Sequence, residues 1–335
     1  MKILSLLFFL ISILYGGTQL KIATYNVEAL FDLEKKGYKY KEYKPNSKSL
    51  WNKKNYNIKL NNISKVIKDI DADIIALQEV HSLQALKDLR LKLKQNGLYY
   101  KYFTIADKKD SAIKVALLSK IPFVYAKEIN VTSTYKYRNI LEVKFKVENQ
   151  EFYLFNNHWK SKSGPESMRM VSAKALRDRI EKIGYDKNII LLGDFNSHYE
   201  ENKLFIKNRK HNDTNGKTGI NDILRTKYQI KNAKNTKYKK NSFYNLWYDT
   251  NLEERYSYIF KGEKEALDNI LVSQSLLNNK GMSYKDNSIK NFSKDYLMYK
   301  GKYPYRWQVS KARVPKHKGK GYSDHLAVIA TFIFN

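Results

Sequence analysis

Six short polar motifs, spread from residue 26 to residue 325, limit how this chain can fold more than any other feature. Most follow directly on an apolar, strand-like run. They are Tyr25-Asn26-Val27-Glu28, Gln78-Glu79-Val80, Asn156-Asn157-His158-Trp159-Lys160, Leu191-Leu192-Gly193-Asp194-Phe195-Asn196, Leu267-Asp268-Asn269 and Ser323-Asp324-His325. If they serve one site, both ends of the chain must meet, which favours a single domain over residues 19–335. The fourth motif is the most telling. It sets a carboxylate and a carboxamide two residues apart after the run Asn188 to Leu192, and side chains two apart on an extended backbone point the same way. One can polarise water while the other holds the anion or metal beside it. Taken alone, the run also suits an ordinary strand-end turn, because Asp and Asn both favour turns.

The N-terminus and the charge bound the setting. Met1-Lys2 precedes an apolar run from Ile3 to Tyr15, broken only by Ser5 and Ser12, and Gly16 and Gly17 follow. This is the layout of a secretory signal over residues 1–18, implying an exported protein, periplasmic or extracellular. Tyr15 suits a cleavage site poorly, so an uncleaved anchor stays open, although the run is short for a membrane span. There is no cysteine, which excludes disulfides, Cys-ligated zinc and thiol nucleophiles but does not argue against export. The 62 Lys and Arg against 33 Asp and Glu leave a net charge of +29. A surplus this large draws polyanions: nucleic acid, anionic membranes or glycans. Drift toward Lys and Asn is the alternative origin, and charge alone does not choose. At 42% hydrophobic residues, the chain is too apolar to be disordered.

Periodicity predicts strands at Lys21–Val27, Asp73–Leu77, Tyr99–Ile105, Ile113–Leu118, Phe123–Ile129, a half-buried strand carrying Leu141, Val143, Phe145 and Val147, and its partner at Glu151–Asn157. Further strands are expected to Leu192, at Tyr256–Phe260, Ala266–Val272 and Leu326–Phe334. Helices are predicted over Trp51–Ile70, from a Ser82 cap, from Pro165 to about Ile183, and around Ile220–Arg225. Two stretches read as basic surface loops, Lys207–Lys240 and Tyr299–Lys320. The second has no acidic residue and interleaves lysines and arginines with Tyr303, Tyr305 and Trp307, a composition that can pair with phosphates and offer rings for stacking.

In this order the motifs resemble the endonuclease/exonuclease/phosphatase superfamily, the DNase I-like proteins, and the stretch Asn157 to Lys162 is most similar to its secreted bacterial nucleases. The resemblance covers about residues 20–334. It implies an α/β fold, a four-layer α/β/β/α sandwich of two mixed, largely antiparallel sheets with outer helices and a site at one edge. It also implies phosphoester cleavage with a divalent cation, commonly Mg2+, with Mn2+ or Ca2+ as alternatives. A hard cation held by carboxylate and carboxamide oxygens suits the charge that builds up in such a reaction. On the matching positions Glu79 is the main metal ligand, supported by Asn26, with Asp324 serving the metal or the base and Glu28 as a further acidic ligand. Asp194 orients or deprotonates the attacking water and Asn196 is its partner. Asp268 orients His325, which contacts the scissile phosphate, and His158 protonates the leaving oxygen. Arg138, Lys160 and Arg169 are candidates for binding phosphate or the flanking backbone. Many relatives have histidine after the aspartate of the Leu-Asp motif; here Asn269 follows Asp268, which puts local orientation in doubt.

The implied function is an exported, metal-dependent nuclease acting on nucleic acid, DNA favoured over RNA, monomeric and without stable membrane association unless the signal is retained. A phosphoesterase of the same fold acting on sphingomyelin or inositol phosphates is the runner-up. A non-catalytic basic nucleic-acid-binding protein is a third reading, which the presence of Glu79, Asp194, Asp268 and Asp324 disfavours.

Overall fold

The computed structural model describes residues 18–34, 40–226 and 240–335. Nearly all of the expected signal segment, and residues 227–239 of the first basic loop, lie outside the described residues. Strand β1 (Gln19–Leu30) leads through helix α1 (Lys53–Ile70) to β2 (Ile74–Val80) and helix α2 (Leu83–Gln95). Strands β3 (Tyr102–Ile105), β4 (Lys114–Ser119), β5 (Phe123–Ile129), β6 (Ile140–Val147) and β7 (Gln150–His158) follow. Helix α3 (Glu166–Ile183) then precedes β8 (Asn188–Asp194). The remaining strands are β9 (Tyr244–Asn245), β10 (Tyr258–Phe260), β11 (Glu263–Glu265), β12 (Asp268–Val272), β13 (Met282–Tyr284), β14 (Lys290–Asn291), β15 (Met298–Tyr299), β16 (Tyr303–Pro304) and β17 (Val328–Phe334).

Local chemistry accounts for the helix ends. Asn52 caps α1 by accepting from the Asn55 amide at 3.1 Å, and Ser82 caps α2 by accepting from Ala85 at 3.0 Å. Helix α1 stops at Asp71, whose φ of +49° is left-handed. The segment around Ile220 is a single π-helical turn, Gly219–Ile223.

One sheet runs β13-β17-β1-β2-β4-β3, with β14 also on β17, and the other runs β5-β6-β7-β8-β12-β9. Only two neighbouring pairs are parallel, β1 with β2 and β7 with β8. Parallel neighbours need a long crossover, and α1 and α3 supply these. The inner faces meet through Ile22, Ile74 and Leu117 on one side and Val143, Leu154, Ile190 and Ile270 on the other. The outer face of the first sheet packs Tyr25, Ile75 and Leu118 against Ile63 of α1 and Leu86 and Leu89 of α2. The outer face of the second packs Phe155, Ile189 and Leu191 against Ala173, Leu176 and Ile180 of α3. The result is the four-layer α/β/β/α sandwich. Strands buried on both faces explain the unbroken apolar run Ile189–Leu192.

The pairing register carries the motifs to one edge. His158 lies opposite Asp194 across β7 and β8, and Asp194 lies opposite Asp268 across β8 and β12. Asn26 lies opposite Gln78. Strand β17 runs antiparallel to β1, with Val328 opposite Thr24, so Asp324 and His325 arrive where β1 ends.

Within the exposed basic stretch Tyr299–Lys320, Trp307 and His317 turn inward. Trp307 is 2% exposed and joins Trp51, Tyr43 and His317 in an aromatic cluster. Its indole N–H donates to His317 Nδ1 at 2.8 Å, while His317 Nε2 lies 2.9 Å from the Glu42 carbonyl. Of the rings that looked free for stacking, Tyr303 is exposed and Tyr305 half-buried, while Trp307 belongs to the core, because burying an indole with its N–H satisfied is worth more than leaving it in water.

Burial pushes the His317 imidazole down to about 4, from an ordinary value of about 6.5. The unfolded chain therefore takes up a proton on lowering the pH before the folded chain does, so stability present above about pH 6.5 is lost as pH falls toward 4. Burial pushes His198 the same way, to about 3. The denaturant midpoint is expected to fall between pH 7 and pH 5, and a His317→Gln variant to lose part of that dependence.

Candidate active site

Two strand ends are bent so that their side chains converge. The pairing of β2 with β4 shifts register between Gln78 and Val80, and Glu79 sits there at φ +66°. The pairing of β1 with β2 shifts between Asn26 and Leu30, with Glu28 at +48° and Ala29 at +59°. Left-handed backbone at non-glycine residues costs about 1–3 kcal/mol each and is found where a site requires it. Bulged positions of this kind re-aim a side chain. Here Glu79 Oε2 accepts from the Ala29 amide at 2.9 Å, and Oε1 lies 3.4 Å from Asn26 Nδ2. Asn26 Nδ2 also donates to Asp194 Oδ2 at 3.0 Å, and Ser323 Oγ donates to the Asn26 carbonyl at 2.6 Å.

Asp194 and Asn196 are neighbours for a different reason than strand alternation. Strand β8 ends at Asp194, Asn196 turns to φ +48°, and its amide donates to Asp194 Oδ1 at 2.8 Å. Gly193 permits this approach. A Cβ there would lie 2.1 Å from the Asn157 carbonyl oxygen, and its φ is +124°. His158 Nε2 lies 3.5 Å from Asp194 Oδ2 and 3.8 Å from Glu79 Oε1, which supplies the carboxylate neighbours that the sequence left unidentified. His325 Nδ1 is 2.7 Å from Asp268 Oδ2, and the Tyr258 ring packs against its imidazole at 4.8 Å.

Asn269, in place of the family's histidine, is wholly buried. It donates to the carbonyls of Ser197, Ala266 and Leu267 at 3.0–3.1 Å and accepts from Asn245 at 2.9 Å. It thereby pins the start of β12 to the loop after Asp194, and the Asp268–His325 pair keeps its orientation.

The two histidines carry different charge. Burial works against a cationic His325, yet attraction and a hydrogen bond from Asp268, with help from Asp194 and Asp324, hold its pKa well above the usual imidazole range. Burial, then Arg138 and His325, hold His158 well below it. These surroundings favour the neutral form of His158 and the cationic form of His325, which makes His325 the better-placed proton donor of the two. Environments that push two titratable groups apart separate their roles. Burial and the nearby Asp268 push Asp194 up to about 7, against the pull of His325.

Glu79, Asp194, Asn196, Asp324, His158, His325 and Arg138 all line one cavity of about 590 Å³. Ligand atoms of Asp194, Asp268 and His325 lie within 4.8 Å of one another. That trio is a poor cation site, because His325 Nδ1 is already taken by Asp268 and the ring is held as a cation. The carboxylates of Glu79 and Asp324 suit a hard divalent ion better; Asn26 turns Nδ2 toward Glu79 while its Oδ1 accepts from the Glu28 amide at 3.0 Å, so it positions the carboxylate. After burial, repulsion from Asp324 is the chief reason the Glu79 carboxyl is raised, and a bound cation would relieve it.

Three expected contacts lie elsewhere. Glu28 points away from the cleft: its Oε1 accepts from Arg306 Nε at 2.9 Å and Nη2 at 2.6 Å, and its Oε2 from the Trp307 amide at 2.8 Å. The left-handed turn at Glu28 breaks the two-residue alternation that placed it beside Asn26, and both oxygens are spent inside the protein. Arg169 is fully buried, bonded to Glu166 at 2.7 Å and to the carbonyls of Ser161 and Gly164. Lys160 runs beside Gly164, outside the cavity lining; the lysines that line the cleft are Lys162 and Lys210, and Lys162 is gripped by Glu201 at 2.9 Å and Glu265 at 2.7 Å. Arg138 does line the cavity, and its Nη1 donates to the Trp159 carbonyl at 2.9 Å. No sequence motif marks Arg306 as a clamp, 3.4 Å from Asp324 as well as bonded to Glu28, nor the wholly buried Lys59, which donates to the Tyr322 carbonyl at 2.8 Å. Only tertiary contact defines either.

An Asp268→Asn variant is expected to fold but to lose about 10³- to 10⁴-fold in turnover, as when the carboxylate that orients a catalytic imidazole is neutralised. The imidazole pKa of His325, followed by NMR, is expected to fall in the same variant.

Residues 21–229 match the Endonuclease/Exonuclease/phosphatase family. No curated protein matches the sequence. Among solved structures, a humanized D. rerio TDP2 superimposes with a TM-score of 0.59 at 14% identity, covering 94% of this chain and 98% of that one. D. rerio TDP2 complexed with a single-strand DNA product gives 0.58 at 15%, covering 94% and 99%. A Bacteroides thetaiotaomicron mannosyl-6-phosphatase gives 0.55 at 16%, covering 94% and 100%. At these identities the structures share the fold with this chain, while the sequence match spans more than half of it; the protein belongs to the endonuclease/exonuclease/phosphatase family, the DNase I-like superfamily of hydrolytic phosphoesterases.

Proposed function

We propose that the protein is an exported, divalent-metal-dependent phosphodiesterase that hydrolyses nucleic acid, with DNA the favoured substrate. The observation that carries this reading is the convergence of Glu79, Asp324, Asp194 and the Asp268–His325 pair on one cavity. A divalent cation held by Glu79 and Asp324, with Asn26 positioning Glu79 through Nδ2, would supply Lewis-acid polarisation of a phosphoryl oxygen. The chain's own groups do the rest. Asp194, held by Asn26 and the Asn196 amide, accepts a hydrogen bond from the attacking water and can take its proton. His325, fixed through Nδ1, presents Nε2–H to a phosphate oxygen or the leaving oxygen. Neutral His158 beside Asp194 and Glu79 orients the same water or phosphate. Arg138 adds positive charge at the wall.

The surplus of +29 supports a polyanionic substrate, and D. rerio TDP2, of the same fold, is solved with a DNA product. The apolar N-terminal run with its basic start supports export. A fold neighbour is named a mannosyl-6-phosphatase, so small phosphate esters are the reading to test against.

Purified protein should nick plasmid in magnesium, stop on addition of chelator and resume with excess magnesium. Intact plasmid and RNA alongside hydrolysis of sphingomyelin, an inositol phosphate or mannose 6-phosphate would remove the nucleic-acid reading. Asp194→Ala is expected to lower the rate at least about 10³-fold, in the range seen when a group essential to an acid–base step is removed. Cleavage should also fall steeply from 50 to 200 mM salt; a flat profile would separate the charge surplus from substrate capture.

A further inference from the structure

The hairpin of β10 and β11 carries an exposed aromatic ring into the mouth of the catalytic cavity. Tyr258 pairs with Glu265 and Phe260 with Glu263. The tip, Lys261-Gly262, has φ of +50° and +92°, the tight two-residue turn that matches strand twist. The base is anchored on the catalytic pair. Tyr258 bridges to the His325 backbone and packs on its ring, Ser257 Oγ accepts from the Asp268 amide at 3.0 Å, and Glu265 is ion-paired to Lys162. Phe260 lines the cavity yet is 52% exposed.

Leaving a phenyl ring in water forfeits the stabilisation that burying it would bring, and a lone exposed ring is common on any surface. This one differs in being held on a rigid, catalytically anchored hairpin beside a phosphoester site. We infer that Phe260 is a stacking platform for an unpaired nucleobase next to the scissile phosphate, so that the enzyme takes single-stranded in preference to duplex nucleic acid. Rings serve this purpose because every base has a π-face, and a base already paired in a duplex is less free to reach the platform. Lys261 Nζ, 5.5 Å from the Phe260 ring centre, adds positive charge for the flanking phosphate. A lipid acyl chain is a weaker fit: Phe260 is the exposed large apolar side chain of this hairpin, and charged Lys261 and Glu263 flank the tip glycine.

The inference rests on the nucleic-acid reading and is tested by binding as well as cleavage. Affinity for a short fluorescent single-stranded oligonucleotide is measured by anisotropy in chelator, where no cleavage occurs. Phe260→Ala should weaken it about tenfold, and Phe260→Trp should keep it. An oligonucleotide with abasic sites throughout should erase the difference between wild type and Phe260→Ala. Equal affinities of wild type and Phe260→Ala for the intact oligonucleotide overturn the inference, whether or not plasmid is cut. So does loss of sphingomyelin–phosphatidylcholine vesicle binding in Phe260→Ala with oligonucleotide affinity unchanged. Phe260-dependent oligonucleotide binding without any cleavage in magnesium would instead overturn the hydrolytic reading and leave the role of the ring standing.

Discussion

The two sheets are tied together beneath the site by buried side-chain amides, and the geometry above depends on that tie. Asn156 on β7 donates to the Leu77 carbonyl at 3.0 Å and the Ala116 carbonyl at 2.8 Å, both in the opposite sheet. Its own oxygen accepts from Gln78 at 2.7 Å. All of these groups are buried, so a slip of one sheet over the other would leave several without partners, at about 1–3 kcal/mol each. A hydrophobic interface alone is tolerant of small slides; this one is not. Asn26 to Asp194 is the same device at the cavity itself, and it joins β1 of one sheet to β8 of the other.

Charge is concentrated where burial makes it costly. Below Asp324 the protein places Glu28, Arg306 and the buried Lys59 in one network. Burial, and then repulsion from Asp324, push the Glu28 carboxyl up to about 7, while burial pulls Lys59 down to about 8. Removing one member of such a network strands the others in low dielectric. The aromatic-rich strap from Tyr299 to Lys320 therefore does structural duty: its Arg306 braces Asp324, and its Trp307 seals the charges from below.

Much of the fold was legible in the sequence because it follows from repetition. Period-2 and period-3.6 patterns placed nearly every long strand and helix, often to within one or two residues, as with Phe123–Ile129. The Ser82 cap and Pro165 start were visible because capping is local chemistry. Glu79, His158, Asp194, Asp268 and His325 could be named because their motifs, most of them after a strand-like run, resemble those of the family in the same order. Glu28, Lys160 and Arg169 could not be placed. Each lies within a few residues of a motif, but where a side chain points there depends on a bulge, a left-handed turn or a helix register.

The residue pattern sets the individual strands and helices, and the resemblance its motifs carry implies the layers and the groups at their edge, since apolar periodicity and short motifs are properties of contiguous residues. Only the closed fold shows which histidine its neighbours favour as a cation, that Lys162 rather than Lys160 lines the cleft, and that Arg306 and the Trp307 amide bond Glu28. Those outcomes are set by burial and by charges brought from hundreds of residues away, and no local pattern encodes a distance between segments that meet only once the sheets close.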